Sequence, residues 1–420
     1  LEISSPKILI LSAYDVGGAS IAAIRLHLGL LKLGVNSKLL TLHKSSSNIP
    51  EHYQFQPSSN WKEKVYLKLR QRNEHKQKTS LELFDNTSLS GEFSMPIASY
   101  DITNSPLWDW ADVVNLHWVN EWISLENLLA KAGKKKIVWT MHDMHLFTGG
   151  CHYSHGCEGF KLECKDCPML QKSNMPQLAN QFWKVKTNAL KLNKPFLTIT
   201  SPSSWMAGLV GSSSLLRDFK SMAIPNSLDT NIFKPAPKKQ SRQALNLPTE
   251  KIILLTVIQS LKDKRKGFQL LLDSLIYLPE PERFVLLTVG GLNKDIPLHK
   301  IEHIHLGSLV DERLMAMVYN SADILVHPAV EDNLPNVVVE SICCGVPVVG
   351  FNIGGMSEMV SNGLNGFLSD ITKPEVLAQS IVSVLESNLN KVEISQAAHA
   401  KFALELQAKN FQKLFENILS

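Results

Sequence analysis

Short apolar runs alternate with helix-period segments along most of the chain, and the runs fall into two series. In the first half KILILSAY, NSKLLTL, DVVNLHW, KIVWTMHD and FLTITSP read as strands; in the second KIILLTVI, RFVLLTV, HIHLGSL, DILVHPA and PVVGF do. These runs are near-continuously apolar, as in strands covered on both faces, and the helical segments between them supply the crossovers that parallel strands need. The expected fold class is α/β, with two parallel sheets built by right-handed crossovers. Between the two series PNSLDTNIFKPAPKKQ, rich in Pro, Asn and Lys, reads as an inter-domain linker. From Glu393 to Ser420 the apolar residues Phe402, Leu406, Phe411, Leu414, Phe415 and Ile418 recur at helical spacing, which predicts a helix at the end of the sequence.

Composition narrows this picture. With 420 residues and 44% hydrophobic content, the chain can bury two ordinary cores and is no candidate for disorder. A formal net charge of +4 suits a small anionic ligand or a membrane surface, and no aromatic and basic residues interleave as a nucleic-acid platform requires. No apolar run is long enough to span a bilayer and no signal peptide is apparent, so a soluble, cytoplasmic protein is expected.

The chemistry concentrates in Glu331 to Glu358, EDNLPNVVVESICCGVPVVGFNIGGMSE. ADILVHPAV before it predicts a strand, Asn336 to Cys344 a helix held off solvent by Val337, Val338 and Val339, and PVVGF the next strand. Asp332 then lies on the loop leaving a strand, at the carboxyl edge where parallel sheets bind ligands. Glu340, after seven intervening residues, can face the same crevice. Taken alone, the two acids also fit a capping Asp and a solvated helix Glu.

In context, the segment resembles the nucleotide-sugar site of retaining glycosyltransferases of the GT-B fold, in particular glycosyltransferase family 4. The resemblance is carried by Asp332, Glu340, Gly345, Pro347 to Val349, Gly354, Gly355 and Glu358, with one departure: the first Glu of the family's pattern falls on Asp332, and Glu331 is one place out of register. It implies two Rossmann-like domains whose parallel sheets face each other across a cleft. The expected limits are an acceptor-side domain over 1–232, a nucleotide-sugar domain over 236–401, and a helix 402–420 that packs back on the first domain. It further implies that Glu340 binds ribose hydroxyls and that Asp332 binds sugar hydroxyls, with main-chain contacts from Leu334, Pro335 and Asn336 and the nucleobase near Gly307 to Leu309.

A sugar nucleotide's leaving diphosphate gains negative charge as the glycosidic bond breaks, so the site needs fixed positive charge. Arg265 and Lys266 in VIQSLKDKRKGFQLLLDSL offer it after a strand and ahead of a helix start. Read alone, KDKRKG is an ordinary basic loop. Lys266-Gly267 matches the family's Lys-Gly, whereas Ser260 occupies the family's Arg position and Arg265 would supply that charge from a neighbouring place. Gly17 and Gly18 follow the first strand without the dinucleotide spacing and resemble the family's Gly-Gly loop facing the diphosphate and acceptor. His142, with Asp143 beside it, matches the family's His near the donor sugar, where it would hydrogen-bond the sugar or the incoming hydroxyl; the plainer alternative is a core-edge histidine satisfied by a backbone partner. No Asp-x-Asp is present, so no metal cofactor is expected for catalysis.

Four of the six cysteines, Cys151, Cys157, Cys164 and Cys167, fall within GCHYSHGCEGFKLECKDCP. Their density suits a structural zinc site, with His152 and His155 as alternative ligands, but one or two disulfides or free thiols remain open. Cys343 and Cys344 read as small packing residues. Trp61 to Lys78 carries seven Lys or Arg against two acids, which fits a solvated helical face or peripheral contact with an anionic membrane, on the inner face in this reading.

The resemblance implies transfer of a hexose, with glucose and a UDP-sugar as defaults, to a glycan or lipid-linked acceptor in polysaccharide biosynthesis, with retention of configuration. A sugar-nucleotide epimerase or hydrolase of the same fold, and a catalytically silent nucleotide-sugar binder, are the competing readings.

Overall fold

The structure, a computed structural model, describes residues 5–420 apart from 47, 58–64, 66–67, 70–71, 73–92, 95–99, 121, 172, 174, 192–195, 260–262, 292–295, 297 and 299. The chain divides into two compact units, one made of residues 1–225 with 407–420 and the other of residues 226–406.

Among the described residues of the first unit, seven parallel strands form one sheet: β1 (Lys7–Ser12), β2 (Asn36–Thr41), β3 (His52–Gln54), β4 (Val113–Leu116), β5 (Lys136–Thr140), β6 (Leu197–Ser201) and β7 (Ser221–Ala223), in the order β3-β2-β1-β4-β5-β6-β7. The order reverses between β1 and β4, which pair in register from Ile8 with Val113 to Leu11 with Leu116. That reversal opens a crevice at the carboxyl ends of the two strands, the general location of ligands in open α/β sheets. Helices cover both faces, so the central strands are buried throughout: Ile8, Ile10, Val113 and Val138 point to one core and Leu9, Leu11, Val114 and Leu116 to the other.

The second unit repeats the plan with β8 (Ile252–Ile258), β9 (Phe284–Gly290), β10 (Glu302–His305), β11 (Ile324–His327), β12 (Val348–Phe351) and β13 (Gly366–Ser369), all parallel, in the order β10-β9-β8-β11-β12-β13. Here the reversal falls between β8 and β11. Leu254, Leu286, Ile324 and Val349 are fully buried on one side of the sheet, and each contributes about 1.5–3 kcal/mol relative to exposure.

Two sequence expectations need correction. The segment PNSLDTNIFKPAPKKQ does hold the boundary between the units, after Pro225, but the rest of it belongs to the second unit: Leu228 forms a bridge with Ala403, and Leu228 and Phe233 are fully buried in that unit's core. Two apolar side chains at the right spacing outweigh the Pro, Asn and Lys around them. The C-terminal stretch is not one helix but two, Lys391–Phe402 and Leu404–Leu419, broken at the extended residue Ala403. Phe402 packs into the core of the second unit, whereas Phe411, Leu414 and Phe415 join Ile8, Ala23 and Leu26 in the first.

Candidate functional site

In the second unit, the loops after β8 and β11 meet at the strand-order reversal. After β8, Asp263 caps a single 3-10 turn, Lys264–Lys266, by accepting from the Arg265 backbone N–H at 3.1 Å. The turn ends at Gly267, whose φ of 66° lies in the left-handed region and where a Cβ would stand 1.9 Å from the Pro328 carbonyl oxygen. Only glycine lets the turn press against the β11 loop this closely. The Val330 N–H donates to the Arg265 carbonyl at 2.9 Å, and the Arg265 guanidinium donates to the Glu331 carbonyl at 2.7 Å and to Asp263 at 2.8 Å.

This scaffold brings three predicted residues together. Lys266 Nζ donates to Asp332 Oδ2 at 2.6 Å, and Arg265 Nη1 lies 3.8 Å from Asp332 Oδ1. His327, at the end of β11, puts Nε2 3.3 Å from Asp332 Oδ2, close enough for attraction but not aligned as a hydrogen bond. Burial works to raise the Asp332 carboxyl, but Lys266, His327 and Arg265 hold it well below the usual carboxylate range; burial also lowers His327, against the pull of Asp332. Asp332 is thus a buried carboxylate, ionised at neutral pH, and Lys266, the more exposed cation of the pair with 28% of its side chain accessible against 12% for Arg265, is the one open to exchange partners.

The Gly-Gly loop explains its own composition. Gly354 has φ 54°, and a Cβ there would fall 1.7 Å from the Asp332 carbonyl oxygen, while the Gly355 N–H donates to Asn333 O at 2.8 Å. The loop holds the backbone of Asp332 in place. Asn226, buried, donates to Asn336 Oδ1 at 3.0 Å and toward Leu334 O at 3.4 Å, which fixes the start of the helix Asn336–Cys343. Pro335 precedes that helix as its cap. On it Glu340 is 8% exposed and accepts from the Tyr319 hydroxyl at 2.8 Å. Gly307, at φ 71°, follows β10, and its carbonyl accepts from Gly290 N–H at 2.8 Å, so Gly307 to Leu309 lie beside the end of β9.

In the first unit, Gly17 takes φ 90° and caps the helix Gly18–Lys32 directly after β1. His142 follows β5 and is half-buried; His117, two residues N-terminal to Val119, follows β4. Their rings stack with centroids 5.1 Å apart, and His142 Nε2 is 2.8 Å from His117 Nδ1. The proton positions follow from the neighbours. Asn115 Nδ2 faces the Val138 carbonyl at 3.1 Å, which can only accept, so its Oδ1 faces His117 Nε2 at 3.1 Å and that nitrogen carries the hydrogen. Neutral His117 then accepts at Nδ1, and His142 must donate from Nε2. His142 Nδ1 is then the nitrogen without the hydrogen. Burial pushes His142 down to about 4, against the nearby Asp143, and pushes His117 well down with the repulsion of His142 added, so both rings are neutral at neutral pH.

Asp143 turns away from this pair. Its Oδ2 accepts from His152 Nδ1 at 2.6 Å and its Oδ1 from the His145 N–H at 2.9 Å. Burial would raise it, but His152 and His145 hold it well below the usual carboxylate range. His152 Nε2 meets Ser94 Oγ at 2.8 Å, so both its ring nitrogens are committed and it is not available as a metal ligand. No disulfide joins the four clustered cysteines, and among the described residues no three His, Cys, Asp or Glu side chains are already drawn together as around a bound cation. Cys343 and Cys344 are fully buried in the second core.

His327, Asn226, Tyr319, Asn115 and His117 are additions to the residues picked out from sequence. His117 and His327 had a signal, a histidine closing a strand in DVVNLHW and DILVHPA; Asn226 and Tyr319 had none. Position 260 lies outside the described residues, as does nearly all of the Trp61 to Lys78 stretch. Among the described residues no helix is long and apolar enough to cross a membrane.

Comparison with known proteins places these sites in context. Residues 252–387 match the family described as Glycosyl transferases group 1. The putative colanic acid biosynthesis glycosyl transferase WcaC of Escherichia coli is 24% identical over 357 residues, 79% of this chain and 82% of that protein. The D-inositol 3-phosphate glycosyltransferase of Thermobispora bispora is 27% identical over 210 residues, 46% of this chain but only 49% of its own length, so the chain spans about half of that relative. Among solved structures, HepE of Anabaena in complex with UDP-glucose superposes with TM-score 0.65 at 16% identity, covering 98% of this chain and 100% of that one. Sucrose-phosphate synthase of Thermosynechococcus elongatus gives TM-score 0.67 at 17% identity, covering 98% and 99%. The chain has the GT-B fold and is a transferase enzyme that over residues 252–387 is similar to the Glycosyl transferases group 1 family.

Proposed function

We propose that the protein transfers a hexose, with glucose the first sugar to test, from a UDP-sugar to a glycan or lipid-linked acceptor in polysaccharide biosynthesis, with retention of anomeric configuration. The observation that carries the reading is the Lys266–Asp332 ion pair at the strand-order reversal of the second unit, inside the stretch similar to the group 1 family. A pyrophosphate arriving there competes with Asp332 for Lys266. Once Lys266 swings to the phosphate, it neutralises charge that grows as the glycosidic bond breaks, and the released Asp332 carboxylate accepts from sugar hydroxyls. Arg265, clasped by Asp263 and Glu331, holds the turn in position and adds a second positive charge. Glu340 takes the ribose hydroxyls. His142 hydrogen-bonds the sugar or the incoming hydroxyl.

The complex of HepE with UDP-glucose supports the choice of donor, and the name of WcaC supports a polysaccharide product. The test is incubation of the full chain with UDP-glucose, UDP-galactose and GDP-mannose, each with and without glycan and lipid-linked acceptors, and NMR assignment of the product's anomeric proton. Transfer with the α-configured donor giving an α-linkage supports the reading. Free sugar or an epimerised donor assigns the chain to hydrolysis or epimerisation instead, and nucleotide binding without turnover makes it a silent binder.

A further inference from the structure

The four clustered cysteines take no part in the chemistry above, yet the backbone around them is shaped toward their sulfurs. We propose that Cys151, Cys157, Cys164 and Cys167 together hold a structural zinc ion that staples the loop following β5. All four side chains line one small cavity, beside Phe160 and Thr148. Two of the sulfurs have a main-chain N–H aimed at them: Gly149 N–H to Cys164 Sγ at 3.2 Å and Gly159 N–H to Cys157 Sγ at 3.4 Å. A neutral thiol is a weak acceptor, whereas a metal-bound thiolate draws N–H donors strongly. The donor to Cys157 comes two residues after it, which curls the backbone over that sulfur, and the Cys157 side chain lines the cavity.

The same segment bends through left-handed residues that are not glycine. His155, Cys164 and Asp166 have φ of 48°, 47° and 52°. Such residues cost on the order of 1 kcal/mol or more apiece and persist where surrounding structure or a ligand over-determines them. Here they precede or carry the cysteines and turn them inward.

Charge gives a separate reason. Lys186 is 1% exposed, and its ammonium donates to the His145 and Thr148 carbonyls; among the described residues it forms no ion pair. A buried cation of this kind needs a counter-charge. Binding zinc to four thiols releases four protons and leaves a complex of net charge −2 beside Thr148, which lines the same cavity and whose carbonyl accepts from the Lys186 ammonium. Cys157, Cys164 and Cys167 lie on irregular backbone flanking the short turns Gly159–Lys161 and Pro168–Leu170, so the four sulfurs can close to Zn–S distances of about 2.3 Å without unwinding a helix or strand.

The experiment is metal analysis of the full chain purified without chelator, then exchange with cobalt(II) and optical spectroscopy. One zinc per chain, and a cobalt form with the intense sulfur-to-cobalt charge-transfer band and d–d bands of a tetrahedral tetrathiolate, are expected; Cys164→Ser should lose the band or the metal. Zinc far below one per chain, with either four alkylatable thiols or disulfide-linked peptides in the non-reduced digest, overturns the proposal. Because wild-type protein gives the decisive readings, a misfolded variant does not blunt the test. No donor or acceptor is needed, so the result is independent of the transferase assignment.

Discussion

His142 Nε2 stands 2.8 Å from His117 Nδ1, and the Asn115 amide behind His117 makes that contact directional. Removing the acceptor should therefore change the chemistry of His142 without touching it. In His117→Ala the buried Nε2–H loses its partner, at a cost of about 1–3 kcal/mol. Nitrogen-15 NMR of the two rings should show His142 as the Nε2–H tautomer in wild type and as a mixture in the variant. Wild type with the hydrogen on His142 Nδ1 would falsify the assigned direction.

Acid should weaken the first unit over a window set by the same rings. His142 ordinarily titrates at 6.5 and is pushed down to about 4 in the fold. Between these values the unfolded chain binds a proton that the folded one refuses. Stability is complete above the ordinary value and is lost as pH falls toward 4, by on the order of 3 kcal/mol from this ring. His117 and His145, both lowered by burial, act in the same direction. Calorimetry at intervals from ~pH 8 to ~pH 5 should show the melting temperature falling throughout the lower half; a flat profile contradicts the burial argument.

Lys266→Ala should lower turnover by on the order of 10²–10³ through loss of transition-state neutralisation. It also leaves Asp332 with Arg265 as the one cation beside it of the Lys266–Arg265 pair, so the carboxyl should titrate higher than in wild type. Steady-state kinetics gives the first reading and infrared difference spectroscopy of the carboxylate the second. Near-normal turnover removes Lys266 from the chemistry.

Glu340→Gln keeps the size of the side chain and its bond to Tyr319 but removes the charge that is to bind ribose hydroxyls. Loss of charged hydrogen bonds of this kind is worth about 1.5–3 kcal/mol, or roughly ten- to a hundredfold in UDP affinity. Isothermal titration with UDP measures it. Unchanged affinity together with an unchanged melting temperature would take Glu340 out of the nucleotide site.

Gly354→Ala tests how the Gly-Gly loop supports Asp332. The added methyl cannot share space with the Asp332 carbonyl oxygen 1.7 Å away, so the loop or the acid must move. Activity should drop sharply while the cores stay intact, and a crystal structure should show the displacement at residues 332–334.

The central strands were legible because they are covered on both faces and therefore read as unbroken apolar runs. Three strands were not: β3, β7 and β13, written HYQ, SMA and GFLS, each at the edge of its sheet. An edge strand is short and partly wet, and its pairing is dictated by the neighbour already in place. At the candidate site, the strand pattern placed Asp332 and Lys266 on loops after strands and Glu340 on the following helix, and the resemblance singled them out. What spacing could not show is that Lys266 is bonded to Asp332 or that Arg265 is held by Asp263 and Glu331. Those contacts depend on Gly267 and Gly354 letting two loops, distant in sequence, touch.

The break at Ala403 has a consequence for biosynthesis. Residues 226–406 are contiguous and can acquire their core as soon as they clear the ribosome, whereas the first unit must wait for Phe411, Leu414 and Phe415, made only after the whole second unit. During translation its sheet carries an uncovered apolar face for the time needed to make roughly two hundred residues, tens of seconds at ~5–20 residues per second. That interval exposes the nascent chain to chaperones and proteases, and a frameshift or nonsense codon just before Gln407 would leave the first unit with a permanent hydrophobic wound.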